Sequence, residues 1–236
     1  MRDTGLSHPA CSRAGRLLDA VMIGLPDAVT AGWCLWVWVH PLTLGIDTVK
    51  AVVLMMLMEF ILINATGFFT AIPFMLDLAR STRIAMLVVL SAIYVLLIFA
   101  FALPFHAIWP FVAFGWLALG KMAWIMRNRR VSGDEQLWLI GAWAFSVVAY
   151  LGAVGAGVIV YLPRMGITAD IVPLLHLPGG GAWVDAPHKA VATAVFYFAA
   201  SAIFKWMCAA LRKFQPDRRR QLDTTSEPLE IFQQIE

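Results

Sequence analysis

The stretch from Thr48 to Asp77 constrains this chain most, because it is long enough to cross a bilayer and carries the carboxylate of Glu59 deep inside it. At about 100° per residue, one narrow face of the predicted helix holds Thr48, Met55, Glu59, Thr66, Thr70 and Asp77. A charge at the bilayer centre costs from roughly 3 kcal/mol on insertion scales to more than about 10 kcal/mol in simulations of an isolated helix. We therefore expect this face to look into a helical bundle or an aqueous cavity.

The composition excludes a soluble single domain. Hydrophobic residues make up 61% of the 236 residues, charged residues only 14%, and the mean hydropathy is +0.76. The net charge of +3 is small, and the basic residues lie between apolar runs and not on an aromatic-rich exposed face, so nucleic acid is not an expected partner. The predicted fold is an all-α, polytopic transmembrane helical bundle.

Six spans are predicted, with both chain ends in the cytoplasm. They are 17–39, the Glu59 helix, 84–103, 111–126, 137–162 and 188–211. Pro26 allows an alternative first span from Pro26 to about Leu44, preceded by an interfacial helix. Every predicted inner segment is rich in Arg and Lys, which predicts that both chain ends lie in the cytoplasm. The expected location is the inner (plasma) membrane, as a multi-pass protein. The remaining parts are a cytoplasmic segment, 1–16, and a cytoplasmic tail, 212–236.

The longest predicted connection is the outer loop 163–187, which contains the short apolar piece IVPLLHL. This piece cannot span a bilayer, so it is expected to rest on the outer interface or to fold back as a re-entrant cap. The preceding span contains two pairs of small residues at a spacing of four, Gly152 with Ala156 and Ala153 with Gly157. Such pairs allow close approach of helices, and we interpret them as packing sites.

Five polar residues are predicted to share one depth, because each lies roughly 15 to 20 Å along its helix from a span end. They are Asp27, Glu59, Tyr94, Tyr150 and Tyr197, with Ser91, Ser146, Thr193 and Ser201 nearby in the spans. Such a layer suits a relay for protons or cations, so ion- or proton-coupled transport, or channel-like permeation, is the expected activity. The alternative is that Glu59 is protonated and only fixes the packing of neighbouring helices.

Four histidines fall in or beside the predicted outer connections and are the candidates for a zinc or copper site: His40, His106, His176 and His188. None of them forms an HxxxH or HxH pair, and an imidazole beside a helix end is ordinarily satisfied at the membrane interface. No cofactor is therefore predicted. A non-transporting membrane subunit that binds a metal or redox partner at its outer face remains an alternative, as does a membrane scaffold or assembly protein.

The basic tail contains Arg218, Arg219 and Arg220, which are expected to attract anionic lipid head groups by about 1 kcal/mol for each base. Beyond Ser226 the pattern allows a short helix or a disordered end. No HExxH, GxSxG, P-loop or dinucleotide fingerprint occurs, which argues against an enzyme. Besides the bilayer, the expected partners are further copies of the chain or the subunits of a membrane complex.

The predicted orientation can be tested with topology reporters. Reporters placed after Arg130 and after Arg220 should both signal the cytoplasm, because basic residues flank inner ends. A reporter in the run Gly179 to Gly181 should signal the opposite side. A cytoplasmic signal from that glycine run would contradict the arrangement of six spans.

Overall fold

The computed structural model describes residues 13–74, 78–127 and 133–214. The helices are α1 (Arg13–Val39), α2 (Ile46–Phe74), α3 (Arg80–Ala102), α4 (Trp109–Arg127), α5 (Gly133–Ile159), a 3-10 turn (Val172–Leu175), α6 (Ala182–Asp185) and α7 (Pro187–Phe214). These three ranges contain no strand, so the all-α prediction is confirmed.

Six of these helices are long and apolar enough to cross a membrane, as predicted. Their apolar segments are Val21–Val39, Ile46–Ile72, Arg80–Ala102, Trp109–Arg127, Gln136–Ile159 and Pro187–Ala210. The alternative division of the first span is wrong, because α1 runs through Pro26 without a break. Membrane helices tolerate such a proline where neighbouring groups satisfy the freed carbonyl. The described chain is therefore that of a multi-pass helical membrane protein.

The chain forms two compact units, each of which has its own contacts. The larger one, here called the main unit, consists of residues 29–200. The described part of the smaller one, here called the terminal unit, consists of residues 13–28 and 201–214, which are the first half of α1 and the second half of α7.

Helix α2 is the central element of the main unit, because two apolar seams run along nearly opposite sides of it. One seam is formed by Val49, Val52, Met56 and Ile63, which pack with α1, α5 and α7. The other is formed by Leu54, Met58, Ile61, Ala65, Phe69 and Ile72, which pack with α3 and α4. Both seams repeat at three- and four-residue steps, the spacing of one helix face. Glu59 continues the three- and four-residue steps of the first seam, between Met56 and Ile63.

A tryptophan of α5 lies across a glycine of α2 in the main unit. The indole N–H of Trp143 donates to the backbone carbonyl of Ile63 at 3.0 Å. A Cβ on Gly67, one turn further along α2, would lie 2.6 Å from Cε2 of the same indole. Glycine therefore provides the space that the flat ring occupies, and the indole N–H finds a buried partner.

The connection between α5 and α7 folds onto the end of the main unit at which α1 stops. Ile167 and Leu175 are fully buried in the apolar core that the first seam of α2 forms with α1, α5 and α7. The indole N–H of Trp38 donates to the carbonyl of Pro163 at 3.2 Å, and the N–H of Gly166 donates to the carbonyl of Trp38 at 3.0 Å. A Cβ on Gly166 would collide with the carbonyl oxygen of Val39. The predicted outer loop thus packs on the bundle through both backbone and apolar contacts.

The two small-residue pairs of α5 differ in their surroundings. Ala153 and Gly157 are buried, and a Cβ on Gly157 would lie 2.6 Å from Oγ1 of Thr193 in α7. Gly152 and Ala156 are exposed. The expected packing role is therefore observed for the pair that faces α7.

We predict that Gly67→Ala lowers the melting temperature, because the added methyl group must displace the indole of Trp143. The loss should be about 1 to 3 kcal/mol of unfolding free energy, which is typical of overpacking a well-filled site. Gly152→Ala is the matched control, since its Cβ would meet open space and alanine favours a helix by up to about 1 kcal/mol. Equal melting temperatures for the two variants would contradict the packing described here.

Candidate functional site

Glu59 lies at the middle of α2. The apolar segment of this helix runs from Ile46 to Ile72, so Glu59 is 13 residues from each end. At 1.5 Å per residue this places the carboxyl group about 20 Å from either end. Its side chain is half-buried, and it lies on the same face as the first apolar seam. The acid therefore lies at the level where a charge costs most.

A phenol from α7 binds this carboxyl group. The hydroxyl of Tyr197 donates to Oε1 of Glu59 at 2.7 Å. Tyr197 is 4% exposed and lies 10 residues after Pro187, the first residue of its apolar segment, so it too comes from the middle of a span. The contact joins residues 138 positions apart in the sequence. A short bond from a hydroxyl to a carboxyl oxygen at this depth stabilises the pair against the apolar surroundings.

A second phenol, from α5, completes the cluster. The hydroxyl of Tyr150 donates to the backbone carbonyl of Met56 at 2.8 Å, one turn before Glu59 on α2. The rings of Tyr150 and Tyr197 meet edge to face, with centroids 5.6 Å apart and an interplanar angle of 79°. This geometry is favourable for aromatic pairs. The Glu59 cluster, defined as Glu59, Tyr150 and Tyr197, therefore ties α2, α5 and α7 together at mid-span.

The structure brings together three of the five residues of the predicted polar layer. Tyr94 packs with the seam of α2 that faces α3 and α4. The centroid of its ring lies 5.9 Å from that of Phe69 and 6.0 Å from that of Phe114. Asp27 belongs to the terminal unit, where it pairs with Lys205. A count of residues from span ends does not predict which seam of a neighbouring helix a side chain faces. For Asp27 it also overestimates the depth, because the apolar segment of α1 begins at Val21 and not at residue 17.

Two of the four hydroxyls proposed near the relay bind their own helix. Thr193 donates to the carbonyl of Lys189 at 2.8 Å, and Ser146 donates to the carbonyl of Ala142 at 3.1 Å. Both bonds reach back four residues, which is common for Ser and Thr in helices. Ser201 differs, because its hydroxyl is buried and has no hydrogen-bond partner among the described residues.

The polar face of α2 makes a second contact that the sequence did not predict. The ammonium group of Lys121 in α4 donates to the hydroxyl of Thr70 at 2.8 Å. Thr70 is 7% exposed and lies three turns along α2 from Glu59. Lys121 is not part of the predicted polar layer, and it lies six residues before Arg127, the last residue of α4. Contacts at Glu59 and Thr70 thus turn this face toward neighbouring helices.

The four histidines occupy different environments. His40, His106 and His176 are exposed, whereas His188 is 5% exposed at the start of α7. His106 and His176 have left-handed backbone angles, with φ of 50° and 41°. Within the described ranges, no group of three or more His, Cys, Asp or Glu side chains could hold a metal ion.

An open depression of about 390 Å³ lies on the connection between α5 and α7. His176 and Asp185 are at its polar positions, and Val172, Pro173, Leu177 and Val184 line the rest. His176 and Asp185 are thus two potential ligands in mainly apolar surroundings. The proposed lipid-binding bases, Arg218, Arg219 and Arg220, lie outside the described residues.

None of the family models, curated proteins or solved structures compared with this chain matches it. The function proposed below therefore rests on the geometry of the Glu59 cluster.

We predict that Tyr197→Phe lowers the unfolding free energy by about 1 to 3 kcal/mol, because the carboxyl group of Glu59 loses a hydrogen-bond donor at mid-span. Tyr161→Phe is the control, since Tyr161 is 91% exposed and its change should stay within about 0.5 kcal/mol. Melting curves in one detergent measure both. A Tyr197→Phe protein as stable as the control would show that this bond contributes little.

Proposed function

We propose that this protein carries protons or cations across its membrane and that Glu59 is the residue that binds and releases them. The observation that carries the proposal is the hydrogen bond between Tyr197 and Glu59 at the middle of two spans. Titratable side chains within membrane spans commonly mark the pathway of an ion or proton.

The chemistry of the cluster supports this proposal. Tyr197 donates to Glu59, but the amide of a glutamine could accept the same hydrogen bond at the same position. What the carboxyl group adds is an exchangeable proton and, when that proton leaves, a negative charge. A purely structural contact does not need either property, and the negative charge is costly in a bilayer.

The arrangement also supports a mechanism in which helices move. Glu59, Tyr150 and Tyr197 come from three different helices, so a shift of one helix changes the donors around the carboxyl group. Loss of the Tyr197 bond would favour uptake of a proton or cation by Glu59. Its return would favour release. Coupling between a binding event and two arrangements of packed helices is the general basis of such transport.

The second candidate function is a purely structural contact that fixes the packing of α2, α5 and α7, here called the clasp. One observation favours it. Tyr150 donates to a backbone carbonyl of α2, a contact between neutral groups that fixes α5 against α2 without any exchange of protons. If Glu59 serves the same purpose, Glu59→Gln should preserve it. Glu59→Leu should instead cost about 1 to 3 kcal/mol, because Tyr197 would lose its acceptor.

We predict that Glu59→Gln abolishes proton or cation flux into liposomes between about pH 5 and pH 8 while the melting temperature stays close to that of the wild type. The substitution keeps the size and the hydrogen bond but removes the exchangeable proton. Asp47→Asn is the matched control, because this carboxylate is 94% exposed at the start of α2 and should not affect flux.

Three results would count against the proposal. Unchanged flux in Glu59→Gln would remove Glu59 from the pathway. Unchanged flux together with an unchanged melting temperature would favour the clasp. Absence of flux from wild-type protein that is folded in the liposomes would contradict transport of the ions tested.

A further inference from the structure

The terminal unit contains an ion pair inside the apolar segments of α1 and α7. Asp27 lies six residues after Val21, and Lys205 lies five residues before Ala210, the ends of the two apolar segments. Each residue is therefore about 8 to 9 Å from the end of its segment. The ammonium nitrogen of Lys205 lies 2.5 Å from Oδ2 of Asp27.

The two partners differ in what they can do if the pair opens. The side chain of Asp27 is 17% exposed and that of Lys205 is 43% exposed. The long chain of a lysine can extend along apolar surface and place its ammonium group at the membrane interface. The short aspartate side chain cannot follow it. An unpaired charge on Asp27 would then be costly at this depth.

The face of α7 that carries Lys205 holds a second polar group. Ser201 is one helical turn before Lys205 on α7, so both residues lie on the same face of the helix. The hydroxyl of Ser201 is buried and has no partner among the described residues, unlike those of Ser146 and Thr193. Oδ2 of Asp27 is also buried, and the ammonium group of Lys205 is the partner that the described residues provide for it.

A separate contact holds α1 and α7 together in this unit. The indole N–H of Trp206 donates to the carbonyl of Val21 at 3.3 Å. The ring covers Gly24, where a Cβ would lie 2.7 Å from Cδ1 of the indole. The ion pair can therefore open while the two helices stay in contact.

We propose that Asp27 is a second proton-binding site, with Lys205 and Ser201 as its alternative partners. As a carboxylate, Asp27 holds Lys205, which is the arrangement observed. When a proton from the water at the membrane surface binds to one carboxylate oxygen, the neutral acid releases Lys205, and the hydroxyl of Ser201 donates a hydrogen bond to the carbonyl oxygen of the acid. Lys205 keeps its own proton and moves its charge toward the lipid head groups.

The other titratable groups along these two helices are further away or uncharged. On α1 the nearest is Asp19, eight residues from Asp27, which is about 12 Å along the helix. On α7, Cys208 is three residues after Lys205, and the nearest further charge is Arg212, seven residues after it. Among the described side chains of these two helices, Lys205 is thus the charged group in contact with Asp27. The proposal goes beyond transport through Glu59 and is tested without measuring flux.

Infrared difference spectra of purified protein in lipid, recorded between about pH 8 and pH 4.5, test this exchange of partners at Asp27. Acidification should produce a band of a protonated carboxyl group that is absent in Asp27→Asn. Ser201→Ala should move this band to higher frequency, because the carbonyl loses a hydrogen bond. Ser146→Ala should leave the band unchanged, since that hydroxyl binds its own helix. Lys205→Met should make the band appear at a less acidic pH, which decides the matter even if Asp27→Asn does not fold.

Melting temperatures provide the second measurement. Lys205→Met should lower the melting temperature at about pH 8, where the ion pair exists, but not at a pH at which the Asp27 band is fully developed. Three results would overturn the proposal. They are absence of the Asp27 band at every pH at which the protein stays folded, an equal band frequency in the two serine variants, and an equal loss of melting temperature for Lys205→Met at both pH values.

Discussion

The hydrogen bond from Tyr197 to Glu59 is the interaction on which the main unit depends most, because it provides a partner for a carboxyl group at the middle of a membrane span. Glu59 lies 13 residues from either end of its apolar segment, at the depth where a charge is costliest in a bilayer. It also falls within the seam that packs α2 against α1, α5 and α7. The carboxyl group therefore cannot turn to lipid without opening this seam, and a donor from α7 has to reach it.

The central position of α2 follows from its two seams. One seam packs with α3 and α4 through an entirely apolar set that includes Leu54 and Phe69. The seam that contains Glu59 instead combines apolar contacts with the hydroxyls of Tyr150 and Tyr197. Hydrogen bonds specify the relative position of helices more narrowly than apolar packing does, because their distance and angle are fixed. The polar seam thus sets the register of α5 and α7 on α2.

Much of this fold could be predicted from the sequence, since hydropathy and length are local properties of each span. The depth of Glu59, Tyr150 and Tyr197 also followed from simple counting. The rotation of each helix about its axis could not be predicted, because it depends on which seam of α2 a neighbour packs against. Tyr94, at a similar depth, faces the apolar seam. The pairing of Asp27 with Lys205 was not predicted, because the position of a residue along its own helix does not show which residue of another helix it contacts.

The two membrane-embedded acids illustrate different solutions to the same physical problem. Glu59 receives a hydrogen bond from a phenol, a neutral group, so the pair is uncharged only while Glu59 keeps its proton. Asp27 lies against an ammonium group, so that pair is uncharged only while Asp27 has lost its proton. A proton that arrives at Glu59 therefore removes a charge from the bilayer, whereas one that arrives at Asp27 leaves the charge of Lys205 without its counterion. Because Lys205 can reach the interface, proton binding at Asp27 should move a charged partner, whereas the phenol of Tyr197 carries no charge when its bond to Glu59 breaks.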